Sequence, residues 1–211
     1  MQIIRHDGKS IEHAEKKLIV YHCMDVVERY DSVDPPAPNE LTREDVRLAN
    51  IMGARSPERF WHNLVGKSLA SIPQGDLIAM PEPDWNSCRD GVGQTLQRFL
   101  DNPGIACAVL TKALHRKRPA FLPVIDKLLI DDILSGSDPK SADTILAIMK
   151  VFREVGRSNL PNLQQIRNFL VRQNSLRDLT NIRMLEALYW MENVRRYKNL
   201  WSFAERLGWW H

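Results

Sequence analysis

The chain has no apolar stretch approaching the roughly 18 uninterrupted residues that a membrane helix requires. Its first residues, Met1-Gln2-Ile3-Ile4-Arg5-His6-Asp7, form no apolar signal-peptide core. A protein with no membrane span, residing in the cytoplasm, is the expectation. Cysteine is scarce: Cys23, Cys88 and Cys107 are odd in number, far apart and without a CxxC pair. That excludes a disulfide framework or a cysteine-built metal site and predicts reduced thiols, mostly buried. Histidines 6, 13, 22, 62, 115 and 211 make no HxxxH or HExxH pair, so no metal centre and no cofactor are expected. The GxxxxGK[ST] phosphate loop is absent. Gly91-Val92-Gly93 has no strand before it, and Gly66-Lys67-Ser68 lacks the upstream glycine, which excludes a nucleotide-triphosphate site of that type. Alternating strand patterns, internal repeats and low-complexity runs are missing too. The net charge of +3 is too small to imply nucleic acid by itself, so the placement of the charges matters more than their sum.

What the chain does contain is an ordinary globular composition, with 44% hydrophobic and 26% charged residues in 211. One all-α domain over 1–211 is predicted, with an N-terminal helix and a Pro-rich loop over 1–39. The spacing predicts a helix over 11–30, ended by Asp34-Pro35-Pro36-Ala37-Pro38-Asn39. Thr42 with Asp45 reads as a capping pair that opens a helix to about Met52. Ser56-Pro57-Glu58 reads as a second helix start, running to about Ala70. Further helices are predicted over 85–100, with Gly91 and Gly93 as breaking points, and over 105–115, 121–134, 141–155, 161–173, 179–195 and 198–207. Asn102-Pro103-Gly104 is a turn between two of them.

Chemistry concentrates in one place. Lys112, His115, Arg116, Lys117 and Arg118 form the densest basic cluster. Either these cations meet the negative end of a helix dipole, or they form a loop that neutralises nucleic-acid phosphates. Asp126 follows Pro123-Val124-Ile125 and is flanked by Leu128 and Leu129. A carboxylate in such surroundings caps a helix, sits in a buried ion pair, or does chemistry. A third reading joins His115, Arg118 and Asp126 in one buried polar network. Arg195-Arg196-Tyr197-Lys198 is a second basic run, either a solvated helix end or a further nucleic-acid contact. Trp190, Trp201, Trp209 and Trp210 read as core and docking residues, with Trp209-Trp210-His211 an alternative partner contact.

Lys112-Ala113-Leu114-His115-Arg116-Lys117-Arg118-Pro119-Ala120-Phe121-Leu122-Pro123-Val124-Ile125-Asp126 resembles a family of uncharacterised bacterial proteins. The shared core of that family reads, in outline, K-L-L-H-x-K-R-P-x-L-x-P-x-x-D. Weaker flanks at Leu41–Val46 and Leu179–Met191 extend the resemblance over roughly 40–195. That family is in turn remotely similar to the helix-hairpin-helix DNA glycosylases. This second likeness implies a helix-hairpin-helix glycosylase-like fold and double-stranded DNA as the partner. Gly104 would belong to the phosphate-binding hairpin, with Arg116, Lys117 and Arg118 holding phosphates. Asp126 would be the catalytic carboxylate of an N-glycosidic hydrolase, and Lys112 the candidate for lyase chemistry. Three departures accompany it: Ala106 replaces the second hairpin glycine, Lys112 lies nearer Asp126 than the pattern has it, and the iron–sulfur cysteine cluster is missing. The alternative is a non-catalytic helical module that binds nucleic acid or protein.

Overall fold

The computed structural model describes residues 1–22, 24–31, 37–62, 64–172 and 179–194. Cys23, Pro35, Pro36, the 195–198 basic run, the helix expected over 198–207, Trp201, Trp209, Trp210 and His211 lie outside the described residues. Helices dominate: α1 (Ala14–His22), α2 (Asp25–Asp31), α3 (Arg43–Ile51), α4 (Glu82–Leu100), α5 (Cys107–His115), α6 (Lys127–Ile133), α7 (Ala142–Ser158), α8 (Leu160–Arg172) and α9 (Asn181–Asn193). A short antiparallel hairpin, β1 (Ile3–Ile4) with β2 (Ser10–Ile11), precedes them and pairs Ile3 with Ile11. No helix among the described residues is long and apolar enough to cross a membrane.

Local chemistry explains several helix starts. Thr42 and Asp45 form a reciprocal capping box, so the shorter Asp serves where Glu is usual. Ser141 accepts from the Asp143 N–H, and Thr180 from the Arg183 N–H. The amphipathic α7 turns Ile145, Ile148, Met149, Phe152 and Val155 inward and leaves Lys150 and Glu154 in solvent. In α9 the run from Ile182 to Tyr189 is buried throughout, as befits a central helix. It packs against α1, α6 and α7, while α5 packs against α3, α4 and α7. One contiguous cluster of buried apolar residues joins these elements.

Several expected boundaries move. The helix expected over 11–30 is two helices, α1 and α2. Ser56 does not cap a helix running to Ala70. Its hydroxyl accepts the Trp61 indole N–H at 2.8 Å, and only a 3₁₀ turn forms over Glu58–Phe60. The chain from Leu64 to Ser71 runs as turns, with Gly66 at φ +82. The helix expected over 121–134 begins only at Lys127. Upstream, the backbone donors are taken by side chains from elsewhere: Ile125 N–H by Thr111 Oγ1 at 2.9 Å and Val124 N–H by Glu186 Oε2 at 3.4 Å. Pro123 has no N–H to lend to a helix. Conversely, Gly91 and Gly93 do not break α4. Gly93 lets α7 approach, since a Cβ there would stand 2.9 Å from Leu146.

Gly104, between α4 and α5, has φ +77, and a Cβ on it would lie 2.4 Å from the Phe60 ring. Gly104→Ala should therefore destabilise by roughly 2–5 kcal/mol, combining left-handed strain with overpacking. The urea midpoint measures this. A loss below about 0.5 kcal/mol, the range of a neutral surface change, would show that Phe60 simply swings away.

Candidate active-site pocket

The basic cluster does not form a solvent-facing cationic loop, because the chain folds over most of it. His115 is 1% exposed, bonds the Leu122 carbonyl through Nδ1 and stacks on Tyr30 at 6.3 Å between ring centroids. Burial pushes its pKa down to about 3, so the ring is neutral. Lys117 pairs with Asp45 at 3.0 Å with both side chains fully buried, and it also donates to the Ala37 carbonyl. Arg118 donates Nε to Ile72 O, Nη1 to Pro38 O and Lys117 O, and Nη2 to Asn39 Oδ1 and Leu69 O. All five guanidinium N–H groups are thereby used on internal oxygens. Arg116 is half-buried, 3.9 Å from Asp31 and over the Tyr30 ring. The expected phosphate contacts through His115, Lys117 and Arg118 are therefore corrected: these groups hold the interior together, and Arg116 faces Asp31. The predicted His115–Arg118–Asp126 network does not form either, since each of the three bonds elsewhere. Gly104 is likewise a packing glycine. At the head of α5, the Cys107 N–H is taken by the Pro139 carbonyl at 2.8 Å.

Two of the singled-out residues do meet. Lys112, Asp126 and Glu186 line one pocket of about 250 Å³ with Tyr21, Trp190 and Val124. Asp126 sits at the head of α6 because its Oδ1 accepts the Leu129 N–H at 3.0 Å. Its other oxygen makes no hydrogen bond among the described residues. Lys112 is half-buried on α5, and burial lowers its pKa against the opposing pull of Asp126 and Glu186. Tyr21 and Trp190 stand edge to face at 5.6 Å and form the aromatic wall.

Glu186 escaped the sequence reading. It belongs to a buried cluster in which Arg183 Nη1 donates to both Glu186 oxygens, at 2.8 and 2.7 Å, and Nη2 to Asp31 at 3.0 Å. The guanidinium also lies over the Tyr21 and Tyr30 rings. Burial raises the Glu186 pKa to about 7 against the pull of Arg183. Burial opposes Asp31 too, but Arg183 and Arg116 hold that carboxyl below its ordinary value. The available signal was an Arg and a Glu three residues apart in an otherwise apolar helix. Among the described residues, no group of three or more His, Cys, Asp or Glu side chains is placed to hold a metal ion.

A model of a family of unknown function (DUF6308) matches residues 27–193. No curated protein and no solved structure matches the chain.

Two outcomes follow from these contacts. Lys117→Met leaves Asp45 buried with its Thr42 bonds but without a counter-charge, and should cost roughly 3–5 kcal/mol in chemical denaturation; a neutral result would mean the capping box alone satisfies the carboxylate. The second concerns pH. Glu186 takes up its proton more readily in the folded chain, at about 7 against an ordinary 4.5. Its favourable contribution is full below 4.5 and is lost as pH rises through about 7, on the order of 3 kcal/mol in all. His115, with its pKa lowered, acts oppositely: its contribution is full above 6.5 and falls away as pH drops towards about 3. Glu186→Gln has the shape of the protonated acid, so it should gain stability relative to wild type between about pH 5 and about pH 8. Parallel stability curves over that range would remove the assignment.

Proposed function

Because the chain belongs to the DUF6308 family, whose function is unknown, we propose its activity from the pocket itself: hydrolysis of the N-glycosidic bond of a base flipped out of double-stranded DNA. The observation that carries this is the meeting of Asp126, Lys112 and Glu186 in one small aromatic-walled cavity. At about 250 Å³ it is smaller than the roughly 300–1,000 Å³ of sites for drug-sized ligands. A single flipped base suits that size. Trp190, half-buried at the pocket wall, is the ring placed to pack on it. The α4–turn–α5 unit ahead of Asp126 supports a helix-hairpin-helix glycosylase-like arrangement.

In this reaction the C1′–N bond breaks and its electron pair leaves with the base. The free Asp126 oxygen stabilises the positive charge that develops on the sugar and takes the proton of the water that adds to C1′. Glu186, still protonated towards neutral pH, is a proton source for the departing nitrogen. Lys112 sets the field of both carboxyls.

A second reading keeps the pocket for binding without turnover. The observation favouring it is at the hairpin: Ala106 replaces glycine, and the Cys107 N–H is already spent on Pro139.

Asp126→Asn separates the two. Asn caps a helix about as well as Asp, so α6 and the melting temperature should be kept. Base release from duplexes carrying uracil, alkylated or oxidised bases should fall at least about 100-fold, the span of a lost general acid or base. Full activity in the variant would overturn the role of Asp126. No release by the wild type from any substrate would leave the binding reading.

A further inference from the structure

A second recess lies away from the pocket, and its chemistry has the opposite sign. Leu64, Lys67, Ser68, Ser71, Thr95 and Arg98 are among the residues lining a groove of about 660 Å³ between the 64–71 turns and α4. Among the described residues, no carboxylate lines it. Asp101, close by in sequence, is bonded to Gln97 at 2.8 Å. The pocket around Asp126 and the recess beside Arg43 both carry acidic side chains. Lys67 and Arg98 are exposed, and neither side chain makes an ion pair or hydrogen bond among the described residues. On the groove floor Ser71 and Thr95 share one hydrogen bond of 2.6 Å. Two hydroxyls need only one proton for that contact, which leaves the other for an incoming oxygen.

The wall is held from inside. Leu69 N–H bonds Asn39 O, Gly66 N–H bonds Leu41 O, and Leu41 N–H bonds Lys67 O. Arg118 then clamps the Leu69 and Ile72 carbonyls from below. Two cations and a spare hydroxyl, shared between the braced loop and α4, present donors to phosphate oxygens.

We propose that this groove carries the phosphodiester backbone of a nucleic acid, with Lys67 and Arg98 as its phosphate contacts. This rests on the DNA reading of the pocket and gives that reading a binding face that the buried Lys117 and Arg118 cannot supply. The open rim, where both cations are exposed, suits a strand passing through better than a small phosphate ester, which a closed site would hold.

The test is fluorescence anisotropy of a labelled duplex against salt, with base release measured in parallel. Lys67→Glu with Arg98→Glu should weaken binding roughly 10-fold or more at low salt and lower the log–log salt slope by about 2, one unit per phosphate contact. Lys150→Glu with Arg172→Glu makes the same charge change on exposed faces of α7 and α8 and should have a much smaller effect. Equal loss in the two double variants would overturn the groove, as would wild-type binding that Lys67→Glu with Arg98→Glu leaves intact, or no duplex binding at low salt. Displacement of the duplex by inorganic phosphate beyond that by chloride of equal ionic strength would also overturn it, in favour of a small-phosphate site. Failure of base release with the groove effect intact would remove the pocket chemistry alone.

Discussion

The interior is organised around one charge. Arg183 lies on the central helix α9 with its side chain 2% exposed, where a lone guanidinium would be costly to bury. Asp31 from α2 pairs with it, the Glu186 oxygens from the next turn of α9 accept from its Nη1, and the faces of Tyr21 and Tyr30 sandwich it. That requirement brings α1, α2 and α9 to one point. It also shapes the candidate site, because the pocket opens beside this cluster and Glu186 belongs to both. One guanidinium shared by two carboxylates cannot fully satisfy each. The outcome is unequal: the pKa of Asp31 is held below its ordinary value, while burial raises that of Glu186 to about 7.

The basic turn solves a different problem. Loops at 37–40 and 64–72 carry no regular ladder, so their carbonyls need partners. Arg118 meets several of them through its planar fork, and Lys117 ties the start of α3 to the same region through Asp45. A cluster that looks like a nucleic-acid contact in sequence is, in space, the brace for a loop wall. The exposed cations fall on the far side of that wall, at Lys67 and Arg98. The molecule thus presents an aromatic-walled pocket with two carboxyls and a lysine, and a separate groove with no carboxylate among the described residues that line it.

Where a property depends on neighbours in sequence, it was legible. The Thr42–Asp45 capping box, the Asp126 cap, the amphipathic stripe of α7 and the proline-marked loops all rest on spacings of a few residues. Lys112 and Asp126 were singled out for separate reasons, and it is the fold that sets both in one pocket. Ser56-Pro57 misled because a distant constraint won: the Trp61 indole needed an acceptor in the core and took the serine hydroxyl. The apolar run from Phe121 misled because Thr111 and Glu186, from other helices, claimed its backbone donors.

Sequence alone determined the helical class, the Thr42–Asp45 capping box and the turn at Asn102–Gly104, because these follow from local sterics and from the period of apolar positions. Only the tertiary structure decided which charges are spent inside and which remain for a ligand. Arg118 and Arg98 are the same residue type. One finds its acceptors on residues 38, 39, 69 and 72, and the other finds none among the described residues. That difference depends on contacts between segments far apart in the chain, and no local pattern encodes it. The same holds for Glu186, whose proton depends on how deeply α9 is buried and on the single guanidinium it must share.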